Sequence, residues 1–248
     1  INNAAAEPHV QDLCVALQGM GVEIEGVGTS KLTVKGSRTL KGGTYAVGDD
    51  HHEIMTFLAI GAATGGEVRV LNRVKQHFPL INDTFRKLGV IVEDDGEYSL
   101  VRAGQTLNIA EPHTPQLLPK IEAAPWPYIP ADLLPPFTAL AACCHGEVLI
   151  WNKVYEGALA WLPELAKFGV RITQCDPHRA IIHGNTTLHA ASVDAPYIIR
   201  VIIALFMVAA RCPGESLIRH ADPIRRAHPN FVENLRSLGA QVEWVEGE

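Results

Sequence analysis

The sequence predicts an α/β fold assembled from repeated βαβαββ units, and three observations support this prediction. One pattern recurs, in which apolar residues three places apart mark a helix, a glycine ends that helix, and alternating apolar residues begin a strand. The glycines of its copies are Gly21, Gly89, Gly169 and Gly239. The copies lie roughly 70 to 80 residues apart, which is too long for a solenoid repeat and long enough for a small subdomain. Between copies, a helix rich in small apolar residues precedes a strand that opens with Gly-Glu, at residues 66, 146 and 214.

The units follow one another in four segments: residues 1–36, 37–104, 105–184 and 185–248. The first segment predicts only half a unit, with a helix over residues 7–20 and two strands. The second and third predict full units, and the fourth predicts a unit without its last strand. Because proteins normally cover open sheet edges, we expect residues 1–36 to belong to a second domain that is mostly absent from this chain. We expect residues 37–248 to form a three-unit domain, and a chain that opens on Ile1 to be part of a longer protein.

Bulk composition argues against nucleic-acid binding and against membrane insertion. The 248 residues carry a net charge of −6, and they show no basic stripe interleaved with aromatic residues. The most apolar run, residues 197–210, is interrupted by Arg200 and is shorter than the ~20 residues that span a bilayer, so it predicts a buried helix. The five cysteines, an odd number with two adjacent, are typical of a reducing compartment and predict a cytoplasmic protein.

Residues 119–136 form the segment most typical of a binding loop. They contain six prolines around Trp126, Tyr128 and Asp132. Proline fixes φ and removes a backbone donor, so the run predicts a stiff, non-helical loop that holds side chains at a fixed place above the core. On the residues alone, Asp132 is either a general base or a turn residue.

Five short stretches carry a resemblance to a known family. They are INNAAAEP (1–8), APWPYIPADL (124–133), VYE (154–156), LPEL (162–165) and LRSLGA (235–240). In order and spacing the chain resembles the enolpyruvyl transferases, and within them the C-terminal half of the UDP-N-acetylglucosamine 1-carboxyvinyltransferases. The resemblance implies a protein of two domains, each an inside-out α/β barrel of three βαβαββ units, with the active site in the cleft between them.

The same resemblance implies a reaction and its participants. Members of the family transfer the enolpyruvyl group of phosphoenolpyruvate to a substrate hydroxyl and release phosphate. The acceptor implied here is the sugar of UDP-N-acetylglucosamine, in peptidoglycan precursor synthesis for the cell wall. No metal and no organic cofactor is implied. The implied partners are the two small-molecule substrates, and the missing N-terminal domain or a partner chain that supplies it.

Site residues follow from matching this sequence to the family's motifs. The acid of the family's Pro-Thr-Asp motif falls on Asp132, whose carboxylate would take the proton from the attacking hydroxyl if burial raises its pKa toward neutrality. Two family arginines fall on Arg200 and Arg226, whose guanidinium groups would clamp the phosphate and carboxylate of phosphoenolpyruvate. The other substrate-binding positions are Asp50, Glu53 and Trp126. On the residues alone two further interpretations stay open, an internally paired Arg200 and a solvated Arg226.

Four positions depart from the family pattern. Ala158 and His51 stand where the family has arginines, and Ile198 and Arg225 stand where it has acids. Loss of one phosphate-directed arginine costs an enzyme orders of magnitude in rate. Two alternatives therefore stay open: a catalytically silent homologue that keeps the fold for binding or assembly, and a transferase with another acceptor, such as 3-phosphoshikimate or a nucleoside.

His51, His52 and Glu53 form the tightest cluster of possible metal ligands in the sequence. Adjacent residues diverge on a helix or strand, and no second cluster has ligand spacing. The sequence therefore predicts no metal site.

Overall fold

The structure is a computed structural model that describes residues 1–112, 114 and 116–245. The helices of these residues are α1 (Pro8–Gly19), α2 (His51–Thr64), α3 (Pro79–Lys87), α4 (Leu134–Ala142), α5 (Leu162–Ala166), α6 (Ile199–Arg211), α7 (Ile224–Ala227) and α8 (Phe231–Ser237). The strands are β1 (Glu23–Glu25), β2 (Thr33–Lys35), β3 (Val68–Leu71), β4 (Val92–Asp95), β5 (Tyr98–Val101), β6 (Lys120–Ala123), β7 (Glu147–Asn152), β8 (Arg171–Asp176), β9 (Arg179–His183), β10 (Ser192–Asp194) and β11 (Leu217–Arg219). Short 3-10 turns cover Lys75–His77 and Ala131–Leu133.

Residues 105–184 contain a complete unit in the predicted order, β6-α4-β7-α5-β8-β9. Its strands form one sheet in the order β6-β7-β9-β8, in which β6 and β7 are parallel and the other neighbours are antiparallel. α4 is the crossover that a parallel pair of strands needs. Gly169 has a φ of +90° between α5 and β8, a left-handed conformation that glycine adopts without steric cost. The helix, glycine and strand pattern is therefore confirmed here.

The units on either side of it are shorter than predicted. The second segment contains a three-stranded sheet in the order β3-β5-β4, and the fourth contains the parallel pair β10 and β11. Residues 37–50 form no strand. Their backbone instead runs beside α1, where Lys41 N–H donates to the Met20 carbonyl at 2.8 Å and Gly48 N–H donates to the Asp12 carboxylate at 3.2 Å. The prediction of a strand before α2 is therefore wrong.

The pattern at Gly239 also ends differently from the prediction. Gly239 has a φ of +92° and stops α8 as expected, but residues 240–243 form no strand. In the complete unit the corresponding strand, β8, is paired with the strand that follows it, β9. Within the described residues, no strand pairs with residues 240–243.

The main core lies among α2, α4 and α6, the equivalent helices of the three units, which pack against one another. Most of their side chains are buried, including Met55, Phe137 and Ile203. Along β7, buried residues alternate with residues that are mostly half-buried, so one face of its sheet is buried and the other is partly covered. The α/β fold class is confirmed, and so is the buried helix expected over residues 197–210, which is α6. Closure into a barrel stays a prediction.

The half-unit of α1, β1 and β2 has a small core of its own. Cys14, Ile24 and Leu32 are buried together, apart from the main core. Such a separation is expected if residues 1–36 belong to a second domain. That division of the chain stays a prediction.

Only the middle of the proline-rich segment is a loop. The segment begins with β6 and ends in the first turn of α4, where Pro135 and Pro136 lose no hydrogen bond because first-turn N–H groups have no helical partner. The prediction of a non-helical loop over residues 119–136 is therefore wrong at both ends. Residues 124–130 form the loop itself, which carries Trp126 and leads into the turn that carries Asp132.

None of the described helices combines the length and the apolar character needed to cross a bilayer. All five cysteines are free thiols.

Candidate active site

The amino-terminal ends of α2, α4 and α6 meet at one end of the main core. Asp50 immediately precedes α2, Asp132 lies in the 3-10 turn before α4, and Arg200 is the second residue of α6. Nη2 of Arg200 lies 3.9 Å from Oδ2 of Asp50, and Nε of Arg200 lies 4.0 Å from Oδ2 of Asp132. Because these helices hold equivalent places in the three units, the repeat brings together residues that are far apart in the sequence. Helix amino termini offer unpaired N–H groups and a partial positive charge, which suit an anion.

Local backbone structure and packing fix the positions of the Asp50, Asp132 and Arg200 side chains. Asp50 has extended backbone angles, and its Oδ1 accepts a hydrogen bond from His52 N–H at 2.8 Å, which caps α2. Pro130 precedes the 3-10 turn and restricts the backbone that carries Asp132. The side chain of Arg200 is only 12% exposed, so its guanidinium is held between the helix ends.

Asp50 is ionised and His51 is neutral in this arrangement. Partial burial disfavours the charged form of Asp50, but the hydrogen bonds from His52 and the charges of His52 and Arg200 outweigh it and hold the pKa of Asp50 well below its usual range. Burial, with the neighbouring charge of His52, lowers the pKa of His51 to about 3. His51 therefore does not supply the positive charge of the arginine that the family has at this position.

Asp132 is the most open of the three converging residues. Its side chain is 54% exposed. The described residues thus do not provide the burial that the sequence led us to expect for a general base.

His228 is a member of this group that the sequence did not reveal. It is 3% exposed, and its Nε2 lies 2.8 Å from Nη1 of Arg200. A guanidinium only donates, so Nε2 of His228 accepts and the ring proton lies on Nδ1, which is 3.3 Å from Oε1 of Glu53. A line of contacts therefore runs from Glu53 through His228 to Arg200. No spacing in the sequence links His228 to Arg200, 28 residues away.

Replacing His228 with alanine is expected to lower the free energy of unfolding by about 1–3 kcal/mol, because a mostly buried Arg200 N–H loses its acceptor. The matched control is His9→Ala, at an exposed position of α1, which is expected to stay within about 0.5 kcal/mol of the parent. Denaturant unfolding followed by circular dichroism measures both variants. Equal effects of the two substitutions would show that His228 does not hold Arg200.

Trp126 is surrounded by imidazole rings. Its ring centroid lies 5.7 Å from that of His51 and 5.6 Å from that of His77, both in edge-on geometry. A cavity of about 140 Å³ lies beside Trp126, between His77 and Tyr128. Ligand pockets typically measure about 300–1,000 Å³, so this cavity alone does not hold a nucleotide sugar.

Arg226 is not brought to the three helix ends in the same way. It lies on α7, is exposed, and places its guanidinium 5.0 Å from the ring centroid of Tyr197. Within the described part of the chain it forms no ion pair. Its role in an anion clamp, and the roles of the other site residues named from the sequence, stay predictions.

Three of the four departures from the family pattern lie outside α2. Ile198 immediately precedes α6 and is 52% exposed, and the guanidinium of Arg225 lies 4.1 Å from the ring centroid of Trp244. Ala158 lies in a turn between β7 and α5. None of these three positions contributes a carboxylate or a cation to the group around Arg200.

A family model and curated relatives match this chain. The model describing EPSP synthase (3-phosphoshikimate 1-carboxyvinyltransferase) matches residues 1–235. A protein of Bradyrhizobium diazoefficiens and one of Treponema denticola, both described as UDP-N-acetylglucosamine 1-carboxyvinyltransferase, are each 36% identical to it, over 245 and 253 residues. The alignments cover 99% of this chain and 56% and 57% of those proteins, so the chain spans about half the length of the curated relatives it matches.

Solved structures share the fold. The enolpyruvyl transferase NikO from Streptomyces tendae superimposes with a TM-score of 0.81 at 20% identity, covering 98% of this chain and 55% of that one. EPSP synthase from Acinetobacter baumannii gives a TM-score of 0.69 at 17% identity, covering 98% and 56%. At these low sequence identities, the structural similarity is evidence for a shared fold only. Because the family model matches the sequence from residue 1 to residue 235, the chain belongs to the EPSP synthase family of enolpyruvyl transferases.

Proposed function

We propose that this chain is the C-terminal part of a protein that transfers the enolpyruvyl group of phosphoenolpyruvate to a hydroxyl of UDP-N-acetylglucosamine. The observation that carries the proposal is the meeting of Asp50, Asp132 and Arg200 at the amino-terminal ends of three buried helices. Helix amino termini and a guanidinium attract anionic groups, and phosphoenolpyruvate carries a phosphate and a carboxylate. The acceptor is taken from the names of the curated relatives.

In this proposal each site residue has its own role in the reaction, in which the acceptor hydroxyl replaces phosphate on the enol carbon. Arg200 binds an anionic group of phosphoenolpyruvate, and Asp132 accepts the proton of the acceptor hydroxyl. The hydroxyl oxygen then bonds to the enol carbon, the bond between that carbon and the phosphate oxygen breaks, and the departing phosphate takes the proton from Asp132, which returns to its carboxylate form. Asp50 and His228 hold Arg200 from its other sides. Glu53, Trp126 and Arg226 complete the proposed substrate site.

We infer that a second domain closes over this end of the helices and completes the cleft. Three observations support it: the chain spans about half the length of its relatives, Asp132 is largely exposed, and the half-unit of residues 1–36 has its own small core. The isolated chain of 248 residues is therefore expected to be inactive.

A different acceptor is the second candidate, and the surroundings of Trp126 favour it. His51, neutral near pH 7, stands where the family has an arginine, and its ring packs against Trp126. A neutral aromatic wall suits an acceptor with less negative charge, such as a nucleoside.

Phosphate release tests these possibilities. The full-length protein is incubated with phosphoenolpyruvate and, in separate reactions, UDP-N-acetylglucosamine, 3-phosphoshikimate or uridine. We expect phosphate only with UDP-N-acetylglucosamine. Release only with another acceptor would overturn the choice of acceptor, and binding of phosphoenolpyruvate without release in any reaction would identify a catalytically silent homologue.

We also propose that the protein acts in the cytoplasm. All five of its cysteines are free, as is usual in a reducing compartment.

A further inference from the structure

We propose that Asp50, His51 and His52 bind a divalent transition-metal ion, with Zn²⁺ as the best fit, at the start of α2. One donor atom from each of the three side chains lies within 4.8 Å of the other two. Oδ1 of Asp50 is 3.5 Å from Nδ1 of His52, and the ring centroids of His51 and His52 are 4.1 Å apart. Adjacent side chains normally diverge along a helix. In this first turn they converge, contrary to the expectation from the sequence.

The two histidines carry ring nitrogens for which the protein offers no partner. His51 is 3% exposed and His52 is 8% exposed. The Nε2 atoms of both are buried and form no hydrogen bond with the described residues. Buried polar atoms in native proteins usually have a partner, so these two neighbouring nitrogens are candidate ligand atoms. An imidazole nitrogen that is not protonated uses its lone pair to bind a metal.

The charges around this cluster favour a cation. Three carboxylates, those of Asp50, Glu53 and Asp132, gather around the one guanidinium of Arg200, either directly or through His228. The carboxylates outnumber this guanidinium, and their excess negative charges favour a bound cation. A divalent ion would neutralise them. It would also restore the positive charge that is lost where His51 replaces an arginine of the family.

The ligand types indicate which ions fit. Two imidazole nitrogens and one carboxylate oxygen suit Zn²⁺ and its neighbours in the first transition series, whereas Mg²⁺ prefers oxygen ligands alone. Three protein ligands leave a fourth position open on Zn²⁺. An oxygen of a bound anion would take that position.

Isothermal titration of the chelator-treated full-length protein with ZnCl₂ tests metal binding. We expect one strong site. Asp50→Asn removes a charged ligand but still caps α2, because asparagine is an equally good N-cap, and His51→Gln removes an imidazole. Each variant is expected to bind Zn²⁺ at least about tenfold more weakly. The control is His145→Gln, at an exposed histidine outside the cluster, which is expected to bind as the parent does.

Absence of a strong site, or equal affinities in all variants, overturns the metal site, as does MgCl₂ binding equally well. Circular dichroism of each metal-free variant confirms that it is folded. The role given to the ion rests on the proposed function. Measuring phosphate release as well as Zn²⁺ binding tests the metal site and the transferase activity separately. If Zn²⁺ binds but no phosphate is released, the metal site is supported and the proposed transferase activity is overturned. If phosphate release is unchanged in the presence of chelator, the ion has no role in the reaction, and the proposed transferase activity is still supported. His51→Arg, which supplies a fixed cation, is expected to lose Zn²⁺ and to release phosphate in chelator.

Discussion

Replacing Arg200 with methionine in the full-length protein is expected to lower kcat/KM for phosphoenolpyruvate by about 10²–10³-fold. Loss of one preorganised donor aimed at a developing negative charge has an effect of this size. Arg200 is suited to such a task because its side chain is 12% exposed and is held by Asp50, Asp132 and His228, so that little reorganisation is needed when substrate binds. Phosphate release under subsaturating phosphoenolpyruvate measures the effect.

Two companion variants separate charge from geometry at this position. Arg200→Lys keeps the positive charge but loses the planar fork, and its activity is expected to lie between those of the parent and Arg200→Met. Arg211→Met removes an exposed arginine from the other end of the same helix and is expected to leave kcat/KM unchanged. Activity of Arg200→Met within about threefold of that of Arg211→Met would remove Arg200 from the anion site.

Replacing Asp132 with asparagine is expected to lower kcat by about 10²–10⁴-fold, the usual contribution of a general base. Asparagine keeps the shape of the side chain but cannot accept the hydroxyl proton. Because the group removed acts on the proton and not on the anion, the KM for phosphoenolpyruvate is expected to change little. Steady-state phosphate release at varied phosphoenolpyruvate measures both constants.

The matched control for Asp132 is Asp83→Asn, in α3. Asp83 is exposed, as Asp132 is, and is paired with Arg86 on the same helix. Its loss is expected to leave both constants unchanged. A rise in KM with an unchanged kcat in Asp132→Asn would assign Asp132 to substrate binding instead of proton transfer.

The fold was predictable from the sequence where local chemistry decides it. Gly21, Gly89 and Gly169 all have positive φ and separate a helix from a strand, as their apolar flanks predict. At Gly239 the same local signal stops α8, yet no strand follows. The backbone hydrogen bonds of a helix close within its own segment, whereas those of a strand need a partner strand that local sequence does not specify.

The site was predictable only in part, for a related reason. Asp132 and Arg200 were named through motifs of a family, and the structure places them 4.0 Å apart. His228 was missed because its contact with Arg200 joins two segments that meet only in the folded chain. The convergence of Asp50, His51 and His52 was missed because spacing along the sequence suggests divergence. Repeats and motifs thus identified the elements, while the contacts between side chains became apparent only in the folded chain.

Mass spectrometry of the acceptor, after incubation of the full-length protein with phosphoenolpyruvate and UDP-N-acetylglucosamine, shows directly whether the enolpyruvyl group is transferred. We expect the nucleotide sugar to gain one enolpyruvyl group for each phosphate released, and we expect Arg200→Met and Asp132→Asn to gain it more slowly, by the factors given above. An unchanged nucleotide sugar, with phosphoenolpyruvate intact in the presence of saturating Zn²⁺, would contradict the proposed transfer.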